Sequence, residues 1–251
     1  LMKQWRRADP LPNTRQKLAE ICGLSRAEIA GIDEAVEAEV QNAVTEALKV
    51  ARPKPTGASR VFAESLPEDI EGDDAKPTRM RPLQAARVKN GDAVNLALDY
   101  LLANHAEAFL AGLDVGVYGS AFKTCKGLIE RHGSDRVIDM PLCESSIMGF
   151  SLGASQAGAR PIVEFQFADF STEAVSQLGL NVGTWYFRTD RAAPMLVRLP
   201  CGGGLALGAF HSGEFEGLWS RFPGLKLLYP STAQETFEAL VAGFHDPNPC
   251  L

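Results

Sequence analysis

Residues 136–165 read RVIDMPLCESSIMGFSLGASQAGARPIVEF, and this stretch decides the fold class. Its apolar runs at residues 136–140 and 161–165 predict two strands, and the spacing of apolar residues over 145–156 predicts a helix between them. Consecutive strands joined by a helix are typically parallel and connected by a right-handed crossover. The stretch therefore predicts an α/β protein.

The same alternation continues on both sides of this stretch. Further strands are predicted at residues 108–113, 195–199 and 225–229, and further helices at 91–104, 124–131, 172–188, 213–221 and 232–244. We expect residues 86–251 to form a parallel sheet with helices on both faces. Ligands of such sheets bind at the carboxyl ends of the strands, which here are followed by residues 114–120, 141–145, 166–170 and 200–211.

Two other segments precede this domain. Residues 1–51 predict a helical hairpin, with possible capping boxes at Asn13 to Gln16 and Ser25 to Glu28, and an apolar stripe from Ile29 to Leu48. The hairpin either packs on the next domain or belongs to a preceding, absent one. Residues 52–85 combine prolines with acids and predict an extended, partly disordered linker. Both chain ends are interpreted as cuts through a longer polypeptide.

Composition excludes several classes of protein. The net charge of -6 argues against a nucleic-acid-binding surface. The five cysteines form no CxxC pair, which favours reduced thiols in the cytoplasm over disulfides or structural zinc. No apolar run is long enough to cross a bilayer, and residues 1–7 lack the order of a signal peptide. A soluble cytoplasmic protein is expected.

The residues alone leave the candidate site undecided. Glu144 begins a predicted helix, where an acid is favourable without any catalytic role. His211 follows a glycine-rich loop, and loop histidines are often only solvated. The aromatic residues between Phe165 and Phe170 would ordinarily be core or crevice residues.

An ordered set of motifs changes this interpretation. The motifs are GLDVG (112–116), FKTCKGL (122–128), DMPLCES (139–145), RPIVEF (160–165), FADF (167–170), HS (211–212), PGLK (223–226) and HDPNP (245–249). In sequence and order they resemble the beta subunit of the decarboxylating component of the pyruvate and branched-chain 2-oxo-acid dehydrogenase complexes. The resemblance covers residues 86–251 and implies the thiamine-diphosphate-binding fold. A weaker resemblance links residues 9–53 to the carboxyl-terminal end of the alpha subunit, as in a single-chain alpha/beta fusion.

The resemblance implies a role for each candidate residue. Thiamine diphosphate would be the cofactor, and Glu144 would hydrogen-bond a ring nitrogen of its aminopyrimidine. Phe170 would stack on that ring and Gln166 would line it. His211 would assist substrate or lipoyl handling at the mouth of the site. Asp246 and Asn248 match a turn that helps to hold a monovalent cation such as K⁺, although Asp-Pro-Asn-Pro is also simply a good turn.

The resemblance also implies partners that this chain lacks. Mg²⁺ and the diphosphate would be held by an alpha-type domain, because the sequence has no Gly-Asp-Gly followed by Asn-Asn. The expected partners are that domain, a lipoyl-bearing acyltransferase component and further copies of the chain. The fragment alone is expected to be inactive. Leu113 stands where the family usually has a glutamate, and residues 205–210 are more apolar than usual, which leaves the substrate open.

Three functions stay open at this stage. The first is oxidative decarboxylation of pyruvate or a branched-chain 2-oxo acid. The second is transketolase or deoxyxylulose-phosphate-synthase chemistry on the same fold, which the alpha-tail resemblance disfavours. The third is a non-catalytic assembly module.

Overall fold

The structure, a computed structural model, describes residues 9–51 and 88–251. These residues fall into two compact units, one containing the first two helices and the other containing residues 88–251. The predicted linker at residues 52–85 and the amino-terminal residues 1–7 lie outside the described residues. Within the described ranges, no helix combines the length and the apolar character needed to cross a membrane.

The first unit is a pair of helices, α1 (Pro10–Cys22) and α2 (Arg26–Lys49). Ser25 forms the expected capping box with Glu28 at the start of α2. The capping box expected at Asn13 is wrong, because α1 starts earlier, at Pro10, with Asp9 as its N-cap. An ion pair between Arg15 and Asp33 joins the two helices. Ile29 is the buried member of the α2 stripe, whose other large apolar side chains are exposed: Ile32, Val36, Val40, Val44 and Leu48.

The second unit alternates helices and strands. Its strands are β1 (Ala108–Gly112), β2 (Val137–Asp139), β3 (Arg160–Glu164), β4 (Met195–Arg198) and β5 (Pro249–Cys250). Its α-helices are α3 (Asn90–Asn104), α4 (Leu128–His132), α5 (Glu144–Gln156), α6 (Trp185–Thr189), α7 (Glu216–Trp219) and α8 (Ala233–His245). Short 3-10 helices span Ala168–Ala174 and Gly203–Leu205, and Val175–Val182 is a π-helix.

The five strands form one parallel sheet in the order β2-β1-β3-β4-β5. In its centre, Gly112 pairs with Glu164, and Glu164 pairs with Arg198, so the last residues of β1, β3 and β4 lie side by side. The order of the strands confirms the predicted parallel α/β sheet. It also places the loops that follow β1, β3 and β4 next to one another.

Each face of the sheet has its own apolar core. Alternate strand residues, such as Leu110 and Ile162, face a cluster that includes side chains of α3 and α8. Their neighbours, such as Val163 and Val197, face a second cluster that includes side chains of α5 and the buried Trp219. Such burial of both faces explains why the strands read as nearly continuous apolar runs.

Several predicted elements differ from the observed ones. Residues 172–188 do not form one α-helix: 3-10, π and α turns succeed one another there. Residues 225–229 form a single bridge between Lys226 and Cys250 instead of a strand. The predicted helix at 213–221 is reduced to Glu216–Trp219, and β5 was not predicted. These segments depend on long-range packing more than on local pattern.

Two glycines join the π-helical region to the segment that follows α7. A Cβ atom on Gly224 would collide with the backbone carbonyl group of Gly183. The two backbones therefore touch at a point where any side chain would separate them. This contact fixes residue 224 beside the end of the π-helix.

Candidate functional site

The candidate site residues follow the carboxyl ends of four strands. Asp114 follows β1, Glu144 follows β2, Gln166 and Phe170 follow β3, and His211 follows β4. Because parallel strands end at the same edge, the sheet brings these loops to one side of the domain. The candidate residues therefore lie at the same edge of the sheet, as the parallel strand order requires.

Glu144 is the first residue of α5 and its side chain is half-buried. Next to it, the Ser145 hydroxyl donates a hydrogen bond of 2.6 Å to the backbone carbonyl of Glu173. That bond joins the start of α5 to the 3-10 helix that contains Phe170. Glu144 itself has no hydrogen-bond partner within residues 9–51 and 88–251, so its carboxylate is available to a ligand.

Cys143 precedes Glu144 and is exposed. Its sulfur lies 3.0 Å from the Ser146 hydroxyl. Hydrogen bonds from the hydroxyl and the backbone N–H of Ser146 hold the pKa of the Cys143 thiol below its usual value. The start of α5 thus stabilises negative charge, as the amino end of a helix does.

An aromatic cluster lies at the same edge and consists of Phe122, Phe167, Phe170 and His211. The ring centroids of Phe167 and His211 are 4.6 Å apart, those of Phe170 and His211 are 5.3 Å apart, and the rings meet edge to face. Phe122 contacts Phe167 at 5.2 Å from a different loop. The structure thus brings Phe170 and His211 together, with two phenylalanines that the site prediction omitted.

A cavity of about 330 Å³ opens beside the aromatic cluster. Its lining comes from the loops after β1, β3 and β4: Phe122, Phe167, Pro200, Cys201, Gly202, Gly204 and His211. A cavity with apolar walls and one imidazole suits a small organic ligand better than an ion. A hydrogen bond with Cys201 also raises the pKa of the nearby Tyr229 to about 12.

Gln166 contacts the loop after β1. Its amide nitrogen donates a hydrogen bond of 2.9 Å to the carboxylate of Asp114. Asp114 is exposed and adopts a φ of 58°. Leu113, which stands where the resembling family has an acid, is half-buried beside it.

A cluster of buried polar side chains lies beneath these loops, and it was not predicted from the sequence. This Glu164 cluster consists of Thr124, Cys125, Glu164 and Arg198, and the Glu164 carboxylate is at its centre. Burial and the nearby Glu164 charge raise the pKa of the Cys125 thiol far above its usual value, so the thiol stays protonated. The charged residue that ends the otherwise apolar run PIVE was the signal for it.

Asp246 and Asn248 lie elsewhere, before β5 and therefore at the amino end of the sheet. One carboxylate oxygen of Asp246 accepts a 2.6 Å hydrogen bond from the Lys226 ammonium, and the other accepts bonds from Asn248. Because both oxygens already have donors, this arrangement does not by itself favour a cation. Across the described ranges, no group of three or more His, Cys, Asp and Glu residues is placed to hold a metal ion.

Large apolar side chains are exposed near the candidate site. Val117 and Tyr118 follow β1, Leu142 follows β2, and Phe210 precedes His211, all with more than half of their surface accessible. Apolar groups exposed in this number around one edge are typical of a surface that another domain covers.

Residues 86–251 match the family model described as transketolase, pyrimidine binding domain. The chain belongs to this family of pyrimidine-binding domains. The match covers the whole described α/β unit, so the carboxyl edge of the sheet is the edge of a transketolase-type pyrimidine-binding domain.

Curated relatives with this domain are beta subunits of 2-oxo-acid dehydrogenases. The 2-oxoisovalerate dehydrogenase subunit beta of Bacillus subtilis (strain 168) is 40% identical over 162 residues, which are 64% of this chain and 50% of the relative. The mitochondrial pyruvate dehydrogenase E1 component subunit beta of Saccharomyces cerevisiae is 32% identical over 199 residues, or 78% of this chain and 54% of the relative. The chain thus spans about half the length of these relatives.

A solved structure shares the fold of the pyrimidine-binding domain. It is described as a split gene transketolase, inactive beta4 tetramer, and it matches with a TM-score of 0.50 and 18% identity over 64% of this chain and 49% of that one. This likeness supports the fold alone.

Proposed function

We propose that this chain forms the pyrimidine-binding half of the active site of a thiamine-diphosphate-dependent 2-oxo-acid dehydrogenase. The complete enzyme would oxidatively decarboxylate pyruvate or a branched-chain 2-oxo acid and pass the acyl group to a lipoyl arm. The observation that carries the proposal is the placement of Glu144, a carboxylate with no hydrogen-bond partner among the described residues, at the sheet edge that also holds the edge-to-face rings of Phe170 and His211. The names of the curated relatives support the same reaction class.

The residues at this edge fit an aminopyrimidine ring. Such a ring needs an aromatic face to stack on and polar partners for its ring nitrogens. Phe170 offers a half-buried face, Glu144 offers a half-buried carboxylate, and Gln166 offers an amide. Thiamine diphosphate, when bound, supplies the carbanion chemistry of the reaction.

Each residue would have a distinct task in that reaction. Glu144, at the start of α5, would hold and exchange a proton at a ring nitrogen of the aminopyrimidine. Phe170 orients the ring. His211 borders the cavity, so it would assist the substrate or the lipoyl arm at the entrance.

The proposal requires partners. An alpha-type domain would hold Mg²⁺ and the diphosphate, and it would cover the exposed apolar side chains near Leu142 and Phe210. A lipoyl-bearing acyltransferase component would accept the acyl group, and the chain would assemble in several copies. The hairpin of α1 and α2 would be the tail of an alpha-type domain fused to residues 86–251 through the linker. Without its partners the fragment would be inactive.

The proposal has two secondary parts, the K⁺ site and the localisation, and two alternatives. K⁺ at Asp246 and Asn248 would have to share the oxygens of Asp246 with the donors described above. Localisation in the cytoplasm rests on the five free cysteines. Transketolase-like chemistry has only the shared fold in its favour. A non-catalytic assembly role does not explain why Glu144 lacks a hydrogen-bond partner among the described residues.

The test is Glu144→Gln in the complete enzyme, because glutamine keeps the shape but cannot exchange the proton. We expect exchange of the thiazolium C2 proton of bound cofactor to slow by about 10²- to 10⁴-fold, roughly 3 to 5 kcal/mol of barrier. The unfolding free energy should change by only about 0.3 to 1 kcal/mol. Quenched-exchange NMR measures the first and thermal unfolding the second.

Glu235→Gln is the matched control. Glu235 lies in the first turn of α8, and α8 has the same length as α5, 13 residues. Unlike Glu144, Glu235 belongs to a capping box with Thr232. The control should lose some stability and keep normal proton exchange. If Glu144→Gln behaves in the same way, Glu144 only stabilises its helix and the proposed site is wrong.

A further inference from the structure

The Glu164 carboxylate is buried at the point where three central strands end. Glu164 is the last residue of β3, lies between Gly112 of β1 and Arg198 of β4, and is 2% exposed. A buried carboxylate is costly unless cations and hydrogen-bond donors surround it. The groups that contact the Glu164 carboxylate therefore indicate its role in the structure.

Two of these partners come from the loop after β1. Thr124 donates from its hydroxyl to one carboxylate oxygen at 3.4 Å, and Cys125 donates from its thiol to the other at 3.2 Å. The Thr124 hydroxyl also lies 2.9 Å from that of Ser120. Ser120 and Lys123 both have a positive φ, so this loop adopts a conformation that needs such anchors.

The third partner comes from β4. The Nε atom of Arg198 lies 3.4 Å from the Glu164 carboxylate, and its side chain is 10% exposed. The Nη1 atom of Arg198 is buried without a hydrogen-bond partner in the described part of the chain. Glu164 is thus the anion that compensates this guanidinium, and Arg198 leads directly into Pro200 and Cys201 of the cavity wall.

The three anchored segments are the ones that line the cavity. The loop after β1 contains Phe122, the loop after β3 contains Phe167, and the loop after β4 contains Pro200 and His211. Backbone bonds join the last two loops, from Phe165 to Arg198 and from Ala168 to Pro200. Phe122 contacts Phe167 through its ring, and the loop that contains Phe122 is bonded to Glu164 and, through Asp114, to Gln166.

We propose that Glu164 is a positioning residue, whose buried carboxylate holds the loops after β1 and β4 so that Phe122, Phe167 and His211 form one ligand cavity. It touches neither substrate nor cofactor and acts through these side chains. Its effect on catalysis rests on the proposed function, whereas its effect on loop geometry does not.

Two buried cysteines provide an internal test in the full-length chain with its partner domain. Cys125 lies in the Glu164 cluster, and Cys250 lies in β5 outside it, and both are free and buried. Local loosening of the loop exposes Cys125 alone, whereas global unfolding exposes both. We expect Glu164→Gln to raise the ratio of Cys125 to Cys250 labelling by a thiol reagent about tenfold. Peptide mass spectrometry measures both rates in one sample.

Two further variants make the test specific. Thr124→Val removes one donor to Glu164, keeps the ion pair and should raise the same ratio less. It also serves if Glu164→Gln does not fold. Asp33→Asn removes a carboxylate that pairs with Arg15 in the helix pair of the first unit and should leave the ratio unchanged.

The catalytic consequence is tested by a mutant cycle in the active complex. Glu164→Gln and Phe122→Leu should each lower kcat/KM, and their combined loss should be smaller than the sum, because both act through the same ring. The proposal would be overturned if Glu164→Gln raised the labelling rates of both cysteines equally or left their ratio unchanged. Additive losses of kcat/KM in the double variant would also overturn it. If the wild-type complex has no thiamine-dependent turnover, the proposed function fails, and the labelling ratio still decides whether Glu164 positions the loops.

Discussion

The amino and carboxyl ends of the parallel sheet differ in what their charged side chains contact. At the amino end, Arg136 donates to the carbonyls of Leu102 and His105, and Arg160 donates to that of Phe244. These carbonyls belong to the last turns of α3 and α8, where cations are favourable. At the carboxyl end, Glu144 has no partner within the described residues. The two arginines at the amino end thus satisfy backbone carbonyls, whereas Glu144 at the carboxyl end stays available to a ligand.

The largest loss of stability is expected from a substitution at the amino end of the sheet. Arg160→Met removes the donor to a buried carbonyl, which should lower the unfolding free energy by about 1 to 3 kcal/mol. Proton exchange by bound cofactor should not change in the folded protein. Urea unfolding followed by tryptophan fluorescence, to which the buried Trp219 contributes, measures the loss of stability.

Arg221→Met provides the control, because Arg221 is an exposed arginine. It should change stability by less than about 0.5 kcal/mol. An Arg160→Met variant as stable as this control, or one that is folded but slow in proton exchange, would remove the distinction between the two ends.

A smaller effect is expected at the carboxyl end from Phe170→Leu. Loss of the ring face should weaken cofactor binding by about 0.5 to 1.5 kcal/mol, with little change in stability. Calorimetric titration of thiamine diphosphate into the complete enzyme measures it. Phe237→Leu, which alters a contact with Tyr100 between the outer helices, should show unchanged cofactor affinity. Equal affinity losses in both variants would contradict a stacking role.

The smallest effect concerns pH and again belongs to the amino end. Burial, and then the neighbouring His105 and Arg160, lower the pKa of His245 from its usual value near 6.5. The unfolded chain therefore binds a proton at a higher pH than the folded chain does, and stability should fall as the pH falls below about 6.5. Urea unfolding between pH 7.5 and 5 should show this slope, and His245→Gln should flatten it. A slope that persists in the variant would assign the titration to another group.

The sequence predicted the regular parts of the fold better than the irregular ones. Strands β1 and β3 are buried on both faces, so their apolar runs were unambiguous. The π-helix at Val175–Val182 has the apolar spacing of an α-helix, and only packing selects its wider turns. β5 is too short to give a pattern of its own.

The candidate site shows a similar division. Glu144, Phe170 and His211 were predicted from motifs, because their residue types match a known pattern. Phe122 and the Glu164 cluster are defined by contacts between loops that are far apart in the chain, such as Thr124 with Glu164. Local sequence contains no information on such pairs until the strand order is known.

The contact between Gly183 and Gly224 has an evolutionary consequence. This contact fixes the position of the backbone after α7, and β4 fixes the position of the backbone at Arg198. Residues 201–212, which include His211 and part of the cavity wall, are therefore a replaceable insert between two fixed points and precede the core residue Trp219. Insertions, deletions and exchanges in this insert can reshape the entrance without disturbing the sheet. Members of this domain family can thus differ in the ligand that the cavity admits through changes in this insert alone.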